Sequence, residues 1–315
     1  MKISVVIPVF QGAGTIVQLA EKLVSSLKPY DLEIVLVNDG STDNSHEMCL
    51  SLFKRYGAIV KYICLSKNFG EHNAVMAGLA HTTGDYAVIV DDDFQNPPEE
   101  IETLVKKAVS GKFDVVYGYY AKKEHSLFRN LGSGFNNLVA SFLLNKPRDL
   151  YLSSFKCMSR FIVSEVVKYN GPFPYIDGLI WRSTRNIGEV LVRHEKRHKG
   201  KSGYTLRKLL RLWTNMFVNF SVYPLRMSTI LGALFSILGA LLTIFFIIDK
   251  ILNPDTPIGV TAILTSILVF AGVQLIMLGL IGEYVGRLFM TNNQTPSYVV
   301  RHAFGCTKEK ERYNA

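Results

Sequence analysis

Three consecutive carboxylates, Asp91-Asp92-Asp93, are the residues whose types and spacing point most directly to chemistry. Neighbouring carboxylates repel, so such a run needs a cation or solvent around it. Alternate side chains of an extended segment point the same way. Asp91 and Asp93 can therefore share one ion while Asp92 faces elsewhere, and Gln95, in phase with the pair, can add an oxygen ligand. Mg²⁺ or Mn²⁺ fits, because these ions take one or two carboxylates together with substrate phosphates.

A solvated acidic turn is the alternative interpretation of this run. The apolar strand that is predicted just before it, and the Pro97-Pro98 stop after it, favour the metal site.

A second polar motif, Asn38-Asp39-Gly40-Ser41-Thr42-Asp43, also follows a predicted strand. A carboxylate at a strand end can accept a hydrogen bond from a ribose hydroxyl or a base N–H. A plain turn in which Ser41 or Asp43 caps the next helix is the alternative. The motif taken alone favours the plain turn.

Strands and helices alternate in the first 115 residues or so. Apolar runs predict strands at residues 3–10, 33–37, 60–65, 86–90 and 113–117. Helical stretches are predicted at residues 15–27 and 73–80. Continuous apolar strands separated by helices favour a mostly parallel sheet covered on both faces, an α/β fold. Ligands of such sheets bind beyond the carboxyl ends of the strands, where both motifs lie.

The bulk composition narrows the class of protein. The chain has 315 residues, enough for one or two domains, and 48% of them are hydrophobic. Lys and Arg exceed Asp and Glu by 35 − 26 = 9, which indicates nucleic acid, anionic lipid or phosphorylated substrates as partners. The four cysteines have no zinc or redox spacing and are expected to be reduced thiols. We expect no signal peptide.

Two uncharged stretches near the C-terminus predict a transmembrane hairpin at residues 226–286. They cover residues 227–248 and 257–282, which are 22 and 26 positions. Each can cross a hydrocarbon core about 30 Å thick at about 1.5 Å per residue. Buried core helices are disfavoured, since only residues 249–256 separate the stretches. Basic residues flank the hairpin, which places the N-terminal domain and the tail, 287–315, in the cytoplasm at the inner membrane.

Small residues recur along the hairpin, with Gly272, Gly279 and Gly286 spaced seven apart. Such a face permits close helix packing in lipid, either within the hairpin or in a homo-oligomer. Glu283 and Arg287 have the spacing of a structural i,i+4 ion pair.

The segment before the hairpin is basic and amphipathic. Residues 193–211 contain eight Lys or Arg and one Glu. Residues 205–225 place apolar side chains at helical spacing opposite basic ones, which predicts an interfacial helix leading into the membrane. A helix packed on the soluble domain is the alternative.

Several segments resemble, in order and spacing, the inverting family-2 glycosyltransferases of GT-A fold. The segments are residues 4–10, 37–43, 65–70 and 91–99. Within that family the chain is similar to the polyprenyl-phosphate glycosyltransferases, which include dolichol-phosphate mannose synthases, bactoprenol glucosyltransferases and aminoarabinose transferases. Residues 224–227 and 279–287 extend the resemblance into the membrane segment, so that it covers nearly the whole chain.

The resemblance implies a glycosyltransferase domain at residues 1–204 and a role for each matching position. Asp91, Asp93 and Gln95 would bind the metal and the diphosphate, and Asp93, Gln95 and Arg197 would be catalytic. Arg197 belongs to residues 195–202, which resemble a mobile loop whose arginine approaches the phosphates. The residues implied for the nucleotide-sugar are Pro8, Val9, Asp39, Lys67, Asp91 and Asp92. The residues implied for the acceptor phosphate are Arg129, Ser133, Lys156 and Ser202.

Three departures from the family pattern bear on these roles. Gln11-Gly12 stands where the family often has Asn-Glu, which puts a base contact in doubt. Ser153-Ser154 replaces the Gly-Asp of the bactoprenol glucosyltransferases, so a catalytic base at that position does not carry over. Ser202 is followed by glycine where the family loop has lysine.

The expected reaction is inverting transfer of a sugar from a nucleotide-sugar, UDP-hexose or a GDP-sugar, to polyprenyl phosphate at the cytoplasmic membrane face. A phosphate monoester has a second pKa of about 6, so the acceptor is largely ionised at neutral pH and needs little help from a base. The partners implied are the nucleotide-sugar, undecaprenyl phosphate and the bilayer. No nucleic-acid motif is present, and relatives suggest a homotetramer.

Two other functions are weighed against this one. A processive polysaccharide synthase would have more spans and a Gln-x-x-Arg-Trp motif, and Trp181-Arg182 is reversed and lacks the Gln. A catalytically silent membrane scaffold is disfavoured by the intact pair of Asp91 and Asp93.

Overall fold

The computed structural model describes residues 1–120, 150–193, 195, 223–253 and 259–306. The chain divides into two compact units, one of Met1–Leu209 with Gln294–Ala315 and one of Leu210–Asn293. Several predictions lie outside the described residues, namely those for Arg129, Ser133, Arg197, Ser202 and nearly all of the interfacial helix.

Strands and helices alternate through the first part of the first unit, as the sequence predicts. The strands are β1 (Lys2–Val9), β2 (Asp31–Asn38), β3 (Val60–Leu65), β4 (Tyr86–Ile89), β5 (Val115–Tyr119), β6 (Lys156–Ser159), β7 (Ile187–Leu191) and β8 (Val300–Phe304). The helices are α1 (Ile16–Ser26), α2 (Ser45–Tyr56), α3 (Glu71–Leu79), α4 (Glu100–Gly111), α5 (Arg160–Val166) and α6 (Ile176–Ser183).

The eight strands form one sheet in the order β7-β5-β6-β4-β1-β2-β3-β8. β3, β2, β1 and β4 are parallel neighbours, and β5 and β7 are also parallel. The predicted, mostly parallel α/β sheet is therefore confirmed. β6 runs antiparallel between β4 and β5, and β8 runs antiparallel to β3. The sequence did not predict β6, β7 or β8.

The central strands bury both of their faces, which explains why they are continuous apolar runs. β1 and β2 lie in register from Lys2↔Asp31 to Val9↔Asn38, and β1 pairs with β4 from Ile3↔Tyr86 to Val6↔Ile89. α1 packs Ile16, Leu19 and Leu23, all fully buried, into the same core. Because these strands are parallel, their carboxyl ends meet at one edge of the sheet, which we call the carboxyl edge.

The second unit contains α7 (Tyr223–Leu252) and α8 (Val260–Asn292). Leu225–Asp249 and Val269–Asn292 are long and apolar enough to cross a membrane, and their apolar windows are 0% buried. Exposure of that apolar surface distinguishes both helices from the buried core helix of a soluble domain. Glu283 accepts two hydrogen bonds from Arg287, 3.0 and 2.8 Å long, which confirms the predicted i,i+4 pair.

A buried carboxylate, Glu33, ties together the opposite end of the sheet. It accepts hydrogen bonds from Ser4 Oγ at 2.5 Å, Lys61 Nζ at 2.7 Å and Thr83 N at 2.8 Å. Burial alone would raise the pKa of Glu33, but these bonds outweigh it and lower the pKa to about 2. The ionised form therefore stabilises the fold.

Glu33→Gln should destabilise the protein by about 2–3 kcal/mol at neutral pH, because a shift of one pKa unit corresponds to about 1.4 kcal/mol. Since the folded-state pKa is lowered, the contribution is present above about pH 4.5 and is lost as the pH falls toward 2. Urea unfolding of the detergent-solubilised protein across this range measures both effects. Glu21→Gln, at the exposed Arg55 pair, is the control and should cost below about 0.5 kcal/mol. Equal losses in the two variants would contradict the assignment.

Candidate active site

Two loops at the carboxyl edge are bonded to each other. The loop after β1 donates the backbone N–H of Gln11 to Ser41 Oγ at 3.1 Å and that of Gly12 to Ser45 Oγ at 3.0 Å. Asp43 accepts the backbone N–H of Ala13 at 3.2 Å and that of Ser45, the first residue of α2, at 3.1 Å. The turn predicted after β2 thus also fixes the loop after β1 through these hydrogen bonds.

Asp39 is 3% exposed and holds the loop between β3 and α3. Its two carboxylate oxygens accept the backbone N–H groups of Phe69 at 2.7 Å and Gly70 at 2.9 Å. Burial raises the pKa of Asp39, and these two bonds oppose that shift. The backbones come so close that a Cβ on Gly40, which has φ +63°, would lie 2.4 Å from the carbonyl carbon of Lys67. The predicted contact of Asp39 with a nucleoside stays a prediction.

The acidic run does not continue the strand that precedes it. β4 ends at Ile89, Asp92 and Asp93 lie in a turn, and Phe94 adopts a left-handed conformation with φ +62°. Strand alternation therefore stops before the acidic run, and the phase argument that aligned Asp91, Asp93 and Gln95 on one side is corrected for all three residues. Phe94 is 4% exposed, so packing of its ring in the core holds a backbone conformation that aromatic residues rarely adopt.

Asp91 and Asp93 are each held by a specific hydrogen bond. Ser154 Oγ donates to Asp91 Oδ2 at 2.7 Å, and the backbone N–H of Gln95 donates to Asp93 Oδ1 at 3.0 Å. Burial raises the pKa of Asp91 to about 7, and the charges of Glu71 and Asp93 add to the shift. The site thus concentrates negative charge that a cation can neutralise.

Asp92 faces the loop after β1. A Cβ placed on Gly12 would lie 2.3 Å from Asp92 Oδ2, so a side chain there would displace this carboxylate. The departure from the family pattern at Gly12 therefore makes room for Asp92.

A buried ion pair lies behind the acidic run. Lys156 is 3% exposed and pairs with Asp177 on α6, which also accepts the hydroxyl of Tyr117 at 2.9 Å. Lys156 Nζ lies 5.1 Å from the centre of the Tyr117 ring. A role for Lys156 at the acceptor phosphate stays a prediction. Sequence reasoning missed Asp177, because no motif surrounds it.

His72, on the first turn of α3, belongs to the same surroundings. Its ring lies edge-on to Tyr175 with the centroids 5.3 Å apart. Burial lowers the pKa of His72 to about 4; Asp177 opposes this shift and Lys156 adds to it. The lowered pKa favours the neutral imidazole at physiological pH.

The basic segment starts against the acidic turn. The backbone N–H of Glu195 donates to the carbonyl of Gln95 at 2.9 Å, and Arg193 Nε donates to Glu100 on α4 at 2.6 Å. Arg197 follows Glu195 by two positions in the sequence. Glu195, the first residue of the segment predicted to approach the phosphates, is thus bonded to Gln95, which follows Asp93 by two positions.

The carboxylates fit a divalent metal. Within the part of the chain that the structure describes, no three His, Cys, Asp or Glu side chains form a ready-made metal cluster. Mg²⁺ and Mn²⁺ do not need one, because substrate phosphates and water complete their coordination. The carboxylates of Asp91 and Asp93 offer hard oxygen atoms near the carboxyl edge. The same edge carries Pro8, Val9 and Asp39 at strand ends, and exposed Lys67 lies on the loop that Asp39 holds.

Asp177→Asn should destabilise the protein by about 3 kcal/mol, because Lys156 would stay buried without its partner. Thermal unfolding in detergent measures the change. Glu165→Gln removes the partner of exposed Lys168 and should cost below about 0.5 kcal/mol. A loss for Asp177→Asn no larger than for Glu165→Gln would show that the buried pair does not support this wall of the site.

Comparison with known proteins adds relatives that extend over the full chain. The profile of glycosyl transferase family 2 matches residues 4–166. The chain is 33% identical over 310 residues to the undecaprenyl-phosphate 4-deoxy-4-formamido-L-arabinose transferase of Serratia proteamaculans, covering 96% of this chain and 94% of that relative. It is 32% identical over 304 residues to the enzyme of the same name from an Enterobacter species, covering 95% and 93%. A solved structure, glucosyl-3-phosphoglycerate synthase from Mycobacterium tuberculosis with Mn²⁺ and UDP, is 19% identical, with a TM-score of 0.49, covering 69% of this chain and 77% of that one.

Proposed function

Because the chain belongs to glycosyl transferase family 2, we propose that it transfers a sugar, with inversion, from a nucleotide-sugar to undecaprenyl phosphate at the cytoplasmic face of the inner membrane. One observation carries the proposal. Asp91 and Asp93 are held at the carboxyl edge of a chain that also has two span-length apolar helices. The likeness to undecaprenyl-phosphate transferases covers both parts.

The donor half of the proposed site is the carboxyl edge. Asp91 and Asp93, with Gln95, would hold Mg²⁺ or Mn²⁺, which supplies positive charge to the leaving nucleoside diphosphate. Arg197 would add to that charge from the segment anchored at Gln95. Pro8, Val9, Asp39, Lys67 and Asp92 would surround the nucleoside and the rest of the diphosphate.

The acceptor half needs cations more than it needs a base. The phosphate of the acceptor has a second pKa of about 6, so it is largely ionised at neutral pH. It would attack the anomeric carbon from the side opposite the leaving group. Ser154, which replaces the acidic residue of some relatives, donates to Asp91 and does not have to remove a proton. Arg129, Ser133, Lys156 and Ser202 are proposed to position the phosphate.

The sugar is the least constrained part of the proposal. The full-length relatives are named for 4-deoxy-4-formamido-L-arabinose, so the UDP-linked form of that sugar belongs in a donor screen beside UDP-hexoses and GDP-mannose. All of these donors present the same diphosphate to Asp91 and Asp93.

Purified protein with Mn²⁺, undecaprenyl phosphate and labelled nucleotide-sugars should form a lipid-linked monosaccharide from one donor. Extraction into organic solvent and thin-layer chromatography detect the product. Omission of undecaprenyl phosphate is the control and should abolish it. A long polymer would support a processive synthase, and no transfer from any donor would support a silent scaffold.

Asp93→Asn should reduce turnover by roughly a thousandfold or more, because it removes a negative charge that holds the divalent cation on the diphosphate. Initial rates with the identified donor measure this, and membrane fractionation should show unchanged insertion. Asp31→Asn, an exposed carboxylate at the opposite end of β2, is the matched control and should keep wild-type turnover. Full activity of Asp93→Asn would remove the metal assignment.

A further inference from the structure

β8, the last strand among the described residues, completes the edge of the sheet beside the proposed donor site. β8 pairs antiparallel with β3, from Tyr62↔Phe304 to Leu65↔Val300. Without β8, β3 would be the edge strand of the sheet, with its main-chain groups exposed. β8 follows α8 closely in the sequence, and only residues 293–299 separate the two elements.

One contact of the tail reaches the loop that Asp39 holds. The backbone N–H of Ser66 donates to the carbonyl of Val299 at 2.9 Å, and the carbonyl of Ser66 accepts Arg301 Nη2 at 3.2 Å. Ser66 is followed directly by the loop whose N–H groups at Phe69 and Gly70 donate to Asp39. The loop is therefore fixed at one end by the tail and at the other by Asp39.

A second contact runs through aromatic rings. Phe304 stacks on Tyr62 with the ring centroids 5.7 Å apart and the planes at 4°. The Tyr62 hydroxyl lies 2.7 Å from His46 Nδ1 and accepts the side-chain amide of Asn38 at 3.3 Å. Asn38 precedes Asp39, so the ring of Phe304 supports the strand end that carries this carboxylate.

We propose that β8 is a positioning element of the donor site and that Phe304 is its anchor. The element touches no reacting atom; it holds the loop after β3 and the strand end at Asp39 in the arrangement that binds the nucleoside diphosphate. The inference rests on the proposed function, since it presupposes a donor at the carboxyl edge. It makes the segment that follows the second span-length helix part of donor recognition.

Phe304→Ala removes the stacked ring and leaves the backbone of β8 intact. The dissociation constant for UDP with Mn²⁺, and the KM for the donor, should rise about tenfold, the effect of a lost aromatic pair with its burial. Since the reacting atoms are untouched, kcat and the KM for undecaprenyl phosphate should stay within about twofold. Phe304→Tyr keeps the ring and should bind UDP like the wild type.

A cross-link can restore what Phe304→Ala loses. His302 lies directly opposite Cys64 in the register, and it lies two residues from Phe304 on the same face of the sheet. His302→Cys therefore places a second thiol across from Cys64, at the separation that a disulfide needs. Cys306→Ser in every variant removes the neighbouring thiol. Oxidation of Phe304→Ala with His302→Cys should return UDP affinity to within about twofold of wild type, and dithiothreitol should reverse the gain.

The outcomes separate this inference from the proposed function. Wild-type protein that binds neither UDP nor GDP with Mn²⁺ would refute the donor site itself. Three results would each overturn the role of β8. Phe304→Ala could bind UDP like the wild type, the cross-link could fail to restore the lost affinity, or the cross-link could form only between chains. If Phe304→Ala yields no folded protein, Arg301→Ala, at an exposed position, decides the matter. It should weaken UDP binding about threefold through loss of one hydrogen bond, and unchanged affinity would overturn the inference.

Discussion

The rest of the site depends on keeping two carboxylates of like charge, Asp91 and Asp93, at one place on the carboxyl edge. Burial raises the pKa of Asp91 to about 7, and the charges of Glu71 and Asp93 add to the shift. A hydrogen bond from Ser154 and the charge of Lys156 oppose it. Lys156 also forms a buried ion pair with Asp177, so its charge is shared with that carboxylate. The local negative charge is therefore only partly compensated by the protein, and a divalent cation would compensate more of it.

That constraint explains why the loops of the edge hold one another. A carboxylate pair can bind a cation at fixed geometry only if its surroundings do not move apart under the same repulsion. Asp39 binds the loop after β3, and Asp43 braces the loop after β1. Gly12 leaves space for Asp92, so the third carboxylate is turned toward the loop after β1.

Sequence patterns could predict the central strands and the apolar helices, because burial on both faces and the thickness of a bilayer each impose a long apolar run. They could not predict β6 or β8. β6 is four residues long and begins with Lys156, whose burial depends on a partner, Asp177, that lies 21 positions away. β8 is five residues long and, among the described strands, pairs with β3 alone, at the edge of the sheet.

The acidic run shows the same limit at the level of single residues. The pattern located Asp91 and Asp93 correctly at a strand end, because apolar runs and their polar ends are local features. The phase argument for Asp91, Asp93 and Gln95 failed, because β4 ends at Ile89 and the buried Phe94 adopts a left-handed conformation that strand periodicity does not contain. Hydrogen bonds between distant segments, such as that from Ser154 to Asp91, are likewise set by tertiary structure and not by spacing.

The replacement of an acidic residue by Ser154 then has a physical interpretation. A carboxylate at that position would stand beside Asp91 and add to the repulsion that already raises its pKa. The serine hydroxyl instead donates to Asp91 Oδ2 and favours its ionised form. An acceptor phosphate that is ionised before it binds makes little use of a base. In the proposed reaction, a serine at this position would cost little on the acceptor side and would leave Asp91 better able to hold a cation on the donor side.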